Sequence, residues 1–384
     1  MTLVDRQEPG SATSYGNAGV LANGSIAPEA APEIWRRLFE LLGNRSVDVH
    51  LHYRHLPHML PYIARFLANT TQSRYSKNTE SLNAILNRAV AAHRDLIRQC
   101  DADHLLKERG WLKIYRSESA YRNSDELTSL YEHHGIAYRR LSATELHELE
   151  PDLYPIYNGA IWVTGTASIS DPAALSKSYA DYFVGRGGII ETKTIHAITP
   201  SGDRWRVLSY QGHSEYDRVV IAMGAWSASI LKPLGYRLPL IGERGYHRHY
   251  QPDNNASLNR PIHDVEGGFV IAPMKAGHRL TTGDEWAALD SPPTPVQLHK
   301  VEPLARHGFP LGSHCSDVWL GHRPATPDSI PVIGEVPGHR GLWLVTGHGH
   351  IGLTLGPISG QLLAAEMSGE LSDIDMRPYS PARF

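Results

Sequence analysis

Cysteine is nearly absent. Cys100 and Cys315 are the only two in 384 residues, which excludes a disulfide framework and makes a reducing, cytoplasmic compartment the expectation. An excess of charge is missing too: 37 Lys and Arg stand against 40 Asp and Glu. No basic block is present to release counterions, so no nucleic-acid partner is expected. Nothing approaches the roughly 18 apolar residues that a membrane-crossing helix needs. The start, MTLVDRQEPG, carries Asp5 and Glu8 and lacks the apolar core of a secretion signal. There is no H-E-x-x-H motif and no cysteine pair. The run His50, His52, His55 and His58 and the pair His247 and His249 are therefore read as surface or cleft histidines, with no metal. A phosphate loop ending in G-K-[ST] is absent, and apart from the glycine turn at 347–352 no G-x-G-x-x-G follows a strand. No internal repeat or low-complexity tract occurs. What remains is 41% hydrophobic, enough for a large core and two domains.

The most informative stretch is WLGHRPATPDSIPVIGEVPGHRGLWLVTGHGHIGLTLGPISGQLLAAEMSG, residues 319–369. Gly321–Arg323 ends a segment with one fixed cation. A proline-rich turn follows, then an apolar strand, Leu342–Thr346. Next comes a glycine turn, Gly347–Gly356, and a helix expected to open at Pro357. Strand, glycine turn and helix aim backbone N–H groups and a positive helix end at an anion. The glycines are equally compatible with a plain tight crossover.

The pattern G-x-R-P-x-T-P-D-x-x-P-x-I-G, a strand, then T-G-H-G-x-x-G resembles the C-terminal signature of the FAD-dependent D-amino-acid oxidase and dehydrogenase superfamily. It is nearest to the D-amino-acid dehydrogenases. The resemblance implies an α/β fold: a Rossmann-like FAD-binding domain joined to a discontinuous α+β substrate domain built on an antiparallel sheet. The FAD domain is expected at 1–38, 170–228 and 320–384, and the substrate domain at 39–169 and 229–319.

Taken in order, MTLVDR reads as a strand ending in Asp5 and Arg6. In a dinucleotide-binding unit such an acid binds the adenosine ribose and follows the glycine fingerprint by about 20 residues. The fingerprint would then precede residue 1. The expectation is a chain lacking its first strand, glycine turn and first helix, with the upstream DNA encoding them in frame. The small-residue loop at 11–24 resembles the family loop along the flavin, through Ser14, Asn17, Ala18 and Gly19. Helices are expected over much of 33–99, with Tyr53 and His52 as cleft candidates. Strands, a helix at Asp125–His134 and a capping box from Ser142 to Glu145 follow. Asp171-Pro172 starts another helix as N-cap and first residue. Three strands are expected between 189 and 221. VVIAMGAWS then resembles the family's second FAD signature, with Ala222 and Gly224 beside the dinucleotide. R-G-Y-H at 244–247 resembles a turn carrying a substrate-side tyrosine, and 267–287 reads as a hairpin.

Amino-acid oxidation by a flavin moves a hydride from Cα, so the protein mainly positions and polarises. A buried carboxylate is best held by a planar, permanently charged fork. The resemblance implies Arg323 for that role and Tyr246 as a second donor. It also implies cofactor contacts at Gly347, His348, Gly349, Gly352 and Thr354. No cysteine lies in Gly321–Pro324 and Cys315 is too far upstream, so the FAD is expected to be non-covalent. The expected partners are a small amino acid and an electron acceptor, quinone or O2, with peripheral contact at the inner membrane face for a quinone user. A glycine- or sarcosine-type oxidase, a non-catalytic truncated homologue that has lost FAD, and a ligand-binding protein without redox chemistry are the alternatives.

Overall fold

The computed structural model describes residues 1–384. Its centre is an 11-stranded, mainly antiparallel sheet. The longest strand, Ile241–Pro252, pairs with Gly277–Thr282, with Asp284–Trp286 and with Trp319–Ala325. The sheet continues through Phe269–Met274 and Ile262–Asp264 to Trp111–Tyr115 and Gly159–Val163.

Alternation along these strands gives the sheet two unlike faces. One face carries Leu112, Ile114, Ile262, Ile271 and Leu280, packed with the helix Val296–Gly308 into a buried apolar cluster. The other carries Glu243, Gly245 and His247 from the long strand. In register beside them lie Thr281, Val270, His263 and Lys113. That polar face looks toward the N-terminal loop and the glycine turn.

The nucleotide-type half is built from short parallel pairs. Thr2–Asp5 runs parallel to Ile189–Thr192, and Val219–Ile221 runs parallel to Leu342–Thr346. Two long helices, Gln72–Gln99 and Gly352–Ser368, pack on one another. Leu82, Ile85, Leu86, Leu355, Ile358 and Leu362 from them share one core. No helix is long and apolar enough to cross a membrane.

Local chemistry accounts for several boundaries. Ser142 and Glu145 form both arms of a capping box, and the Asp171 carboxylate accepts from Ala174 N at 3.0 Å. Three expectations need correction. The region 189–221 holds five strands, because Ile195–Ser201, Arg204–Ser209 and Gly212–Tyr216 close into their own antiparallel sheet. R-G-Y-H lies inside the Ile241–Pro252 strand and makes no turn. The C-terminal helix starts at Gly352, so Pro357 lies within it; the Leu353 carbonyl that it cannot bond lies 2.7 Å from His93 Nε2 instead. The segment 320–325 lies in a strand of the large sheet.

Candidate active site

The glycine turn and the N-terminal loop are tied together. Asn17 Nδ2 donates to the His350 carbonyl at 3.4 Å, and its Oδ1 accepts from Gly19 N at 2.7 Å. Thr354 Oγ1 donates to the Val20 carbonyl at 3.1 Å. Arg279, from the polar face of the sheet, donates to the carbonyls of Tyr15 and Asn17 at 2.6 and 2.5 Å. Ser14 lies in the single 3-10 turn Thr13–Gly16, and Ala18 packs against the main core. The second turn joins through Thr346 Oγ1, which donates to the Gly224 carbonyl at 3.0 Å. Arg6 stacks over Trp226 of that turn at 4.1 Å, bringing Asp5 and Arg6 to its side, while Ala222 is exposed at the end of its strand.

The glycines divide by what surrounds them. Gly224 and Gly349 have positive φ and open space: an added Cβ meets nothing within 4 Å at Gly224 and only Glu29 Oε1, at 3.9 Å, at Gly349. Backbone conformation and clear approach call for glycine at both. Gly19 and Gly347 are glycine because protein fills the space. A Cβ would lie 2.2 Å from the Ile169 carbonyl oxygen and 2.6 Å from Thr326 Cγ2, respectively. Gly352 opens the helix, and His348 Nε2 lies 3.0 Å from Ser359 Oγ within that helix. Burial pushes the His348 imidazole down to about 4.

Arg323 stands across from Glu243 in the register of the two antiparallel strands, and its guanidinium lies over Gly245. Its Nη atoms donate to the Thr282 and Gly283 carbonyls at 3.0 and 3.2 Å and pair with Asp284. Glu29 reaches in from the N-terminal loop and pairs with His350 at 2.8 Å. One oxygen from each of Glu29, Glu243 and Asp284 lies within 4.8 Å of the others. Glu243 is the floor, 2% exposed, while Arg323, Asp284 and Glu29 are only half-buried. Burial raises the Glu243 carboxyl well above the carboxylate range, and the charges of Glu29 and Asp284 add to this against Arg323. Asp284 is also raised by burial, whereas the bond and charge of His350 bring Glu29 down despite burial.

Tyr246 is not brought to Arg323. It lies on the opposite face of its strand, with its hydroxyl donating to Glu285 Oε2 at 2.7 Å and accepting from Arg244 Nη2 and Thr294 N. Arg244 Nε and Glu285 Oε2 are ion-paired at 2.9 Å with both side chains wholly buried. The other Glu285 oxygen takes His52 Nε2 at 2.7 Å and the Thr294 hydroxyl. His50 and His52 therefore do have a carboxylate neighbour, supplied from far along the chain. Both oxygens of that carboxylate are engaged, so the group is a hydrogen-bonded network. Tyr53 is exposed and donates to the Leu42 carbonyl.

Sequence reasoning missed Glu29, Glu243, Asp284, His350 and Lys113. The signal for Glu243 was alternation: a strand over 241–252 puts it opposite Arg244 and Tyr246. Lys113 lies in the register beside His263, with Nζ 5.4 Å from the Trp111 ring and no carboxylate partner. Burial lowers its ammonium to about 8 and the His263 imidazole to about 3.

Glycine turns follow two parallel strands, and beside the second lie one guanidinium and three carboxylates. The chain belongs to the family described as FAD dependent oxidoreductase, which matches residues 1–366. The D-amino-acid oxidase of Bradyrhizobium diazoefficiens is 30% identical over 397 residues, covering 100% of this chain and 93% of the relative. The D-amino acid dehydrogenase of Paramagnetospirillum magneticum is 30% identical over 396 residues with the same coverage. Among solved structures, glycine oxidase from Geobacillus kaustophilus shares the fold with a TM-score of 0.75 at 21% identity. That match covers 100% of this chain and 92% of the other. The residues present fit FAD at two ends. The open sides of Gly224 and Gly349 suit a closely approaching ligand, and exposed Asp5 spends its carboxylate only on Gln7 N, at 2.9 Å.

Proposed function

We propose that the chain is an FAD-dependent oxidoreductase of small amino acids, acting on D-amino acids and yielding imino acids that hydrolyse to keto acids. The single observation that carries this reading is Arg323. A fixed cation sits among three carboxylates, one of which, Glu29, lies against the glycine turn, and this charge pattern is complementary to a zwitterion. The names of the two curated relatives support the D-configuration.

When bound, FAD supplies the acceptor for the hydride leaving Cα. The chain's own residues do the rest. Gly224 and Gly349 give close backbone approach, and the N-terminus of the helix at Gly352 offers positive potential to developing negative charge. Asp5 takes the ribose hydroxyls. Arg323 presents its Nε edge, which has no protein partner, to the substrate carboxylate while Nη1 keeps Asp284. Residues 1–38, 170–228 and 320–384 hold the cofactor on this reading, and 39–169 with 229–319 cover the substrate. The electron acceptor is a quinone or O2. A glycine-type oxidase is the second reading, favoured by the bulk of Tyr62 and Trp286, whose rings lie 5.8 Å apart beside the carboxylates.

Anaerobic addition of D- and L-amino acids to the FAD-loaded protein tests the proposal. Bleaching by a D-amino acid and not by its enantiomer is the expected result. Bleaching by glycine or sarcosine alone would select the second reading.

A further inference from the structure

An α-amino acid carries its ammonium one carbon from its carboxylate. If Arg323 holds the carboxylate, as the proposed function has it, the ammonium must fall within a few ångströms of that guanidinium. The groups there are Glu29, Glu243 and Asp284, an excess of acid over the one permanent cation. Two of them are already answered: Asp284 by Arg323, and Glu29 by His350 at 2.8 Å. Glu243 is not. Its Oε2 is fully buried and has no hydrogen-bond partner, a costly arrangement in a folded protein. An unpartnered acid oxygen facing two other carboxylates is suited to a cationic donor.

We propose that Glu29, Glu243 and Asp284 form the subsite for the substrate ammonium, and that Glu243 accepts one of its protons. The step converts R–CH(NH3+)–COO− to R–CH(NH2)–COO− and the Glu243 carboxylate to its acid. No bond to carbon changes and no electrons move. The freed lone pair on nitrogen then assists departure of the hydride from Cα. The proton leaves along Glu29 or Asp284, both half-buried at the mouth, while Glu243 lies on the floor.

Every group facing Glu243 bears on its titration. Glu29, Asp284 and the Tyr62 hydroxyl surround it, Arg323 supplies the opposing charge, and a hydrogen bond from the Trp286 side chain also favours its carboxylate. Burial first, then the neighbouring acids, raise its carboxyl toward the range of the proton it receives. A base so placed is protonated at low pH, so kcat/KM rises as pH climbs through that raised value.

Two measurements on the FAD-loaded protein test this. In the first, isobutyrate and 2-aminoisobutyrate are titrated by flavin absorbance. They share a shape, and neither can be oxidised as an amino acid, since 2-aminoisobutyrate has no Cα hydrogen. The amine-bearing acid is expected to bind the unaltered protein on the order of tenfold more tightly. E243Q should lose that advantage and keep its affinity for isobutyrate. Arg323→Met should weaken both. In the second, E243Q is expected to lose about a hundredfold in kcat/KM near neutrality, with its rising limb displaced to higher pH. E243D should restore part of the limb. Retention of the amine preference and of the pH profile by E243Q would overturn the proposal while leaving the amino-acid reading intact. Binding of neither acid to the unaltered protein would overturn both.

Discussion

Glu243 and Arg323 stand directly opposite each other on neighbouring antiparallel strands, a cation and an acid fixed by the sheet itself. A one-residue slip of the Ile241–Pro252 strand would send Glu243 to the apolar face, so the register that buries Leu280 and Ile271 also sets the site. The charge pattern of the cleft is thereby a consequence of core packing.

Arg323→Lys is expected to raise KM for the best amino acid on the order of a hundredfold while FAD stays bound. A lysine cannot brace Thr282 and Gly283 and still offer an edge to a carboxylate, and the loss corresponds to about 3 kcal/mol for a buried pair. Steady-state kinetics on the purified variant decides the matter. An unchanged kcat/KM would remove Arg323 from the site.

Gly349→Val should give a folded protein without flavin. The φ of +51° disfavours a β-branched residue, and the side chain would project into the open space beside the turn. Gly347→Ala should instead lower stability, since its Cβ meets Thr326 at 2.6 Å. Flavin absorbance per protein and thermal melts separate the two behaviours. A Gly349 variant that purifies fully yellow would show that this turn does not meet the cofactor.

Tyr246→Phe is expected to cost about 1–3 kcal/mol of stability by leaving the buried Arg244–Glu285 pair short of a partner. KM should barely move, because the hydroxyl is on the face away from Arg323. A large rise in KM with an unchanged melting temperature would contradict the placement.

The contrast between Arg323 and Tyr246 shows what the sequence made legible. The glycine turn and the capped helices were readable because each rests on a few adjacent residues with one conformational meaning, whereas Arg323 was singled out only by the family pattern around it. Tyr246 was misplaced because R-G-Y-H was matched to a turn of the family and not weighed with its neighbours. The alternation of 241–252 makes it a strand and reverses the side on which the tyrosine lies. Glu29 and Asp284 were out of reach, since only the tertiary fold brings a loop near residue 29 against a strand near residue 284. The carboxylate beside His50 and His52 was hidden for the same reason.

Stability should fall as pH drops from about 6.5, where a free imidazole begins to take up protons. His93 is the clearest contributor. Burial lowers its pKa to about 4, and its ring nitrogens lie 2.9 and 2.7 Å from Tyr179 Oη and the Leu353 carbonyl oxygen. Between those two values the unfolded chain binds a proton that the folded protein refuses, so stability is lost as pH falls through this window. His93→Gln should flatten that part of the melting-temperature profile. A profile as steep as that of the unaltered protein would assign the loss to other groups.

The most direct test of the central claim is anaerobic titration of the FAD-loaded protein with D-alanine, followed by the oxidised-flavin absorbance. Stoichiometric bleaching, slowed about a hundredfold in E243Q at neutral pH and regaining speed as pH is raised, is the predicted result. A flavin that stays oxidised with every D-amino acid, L-amino acid and glycine offered would contradict the account.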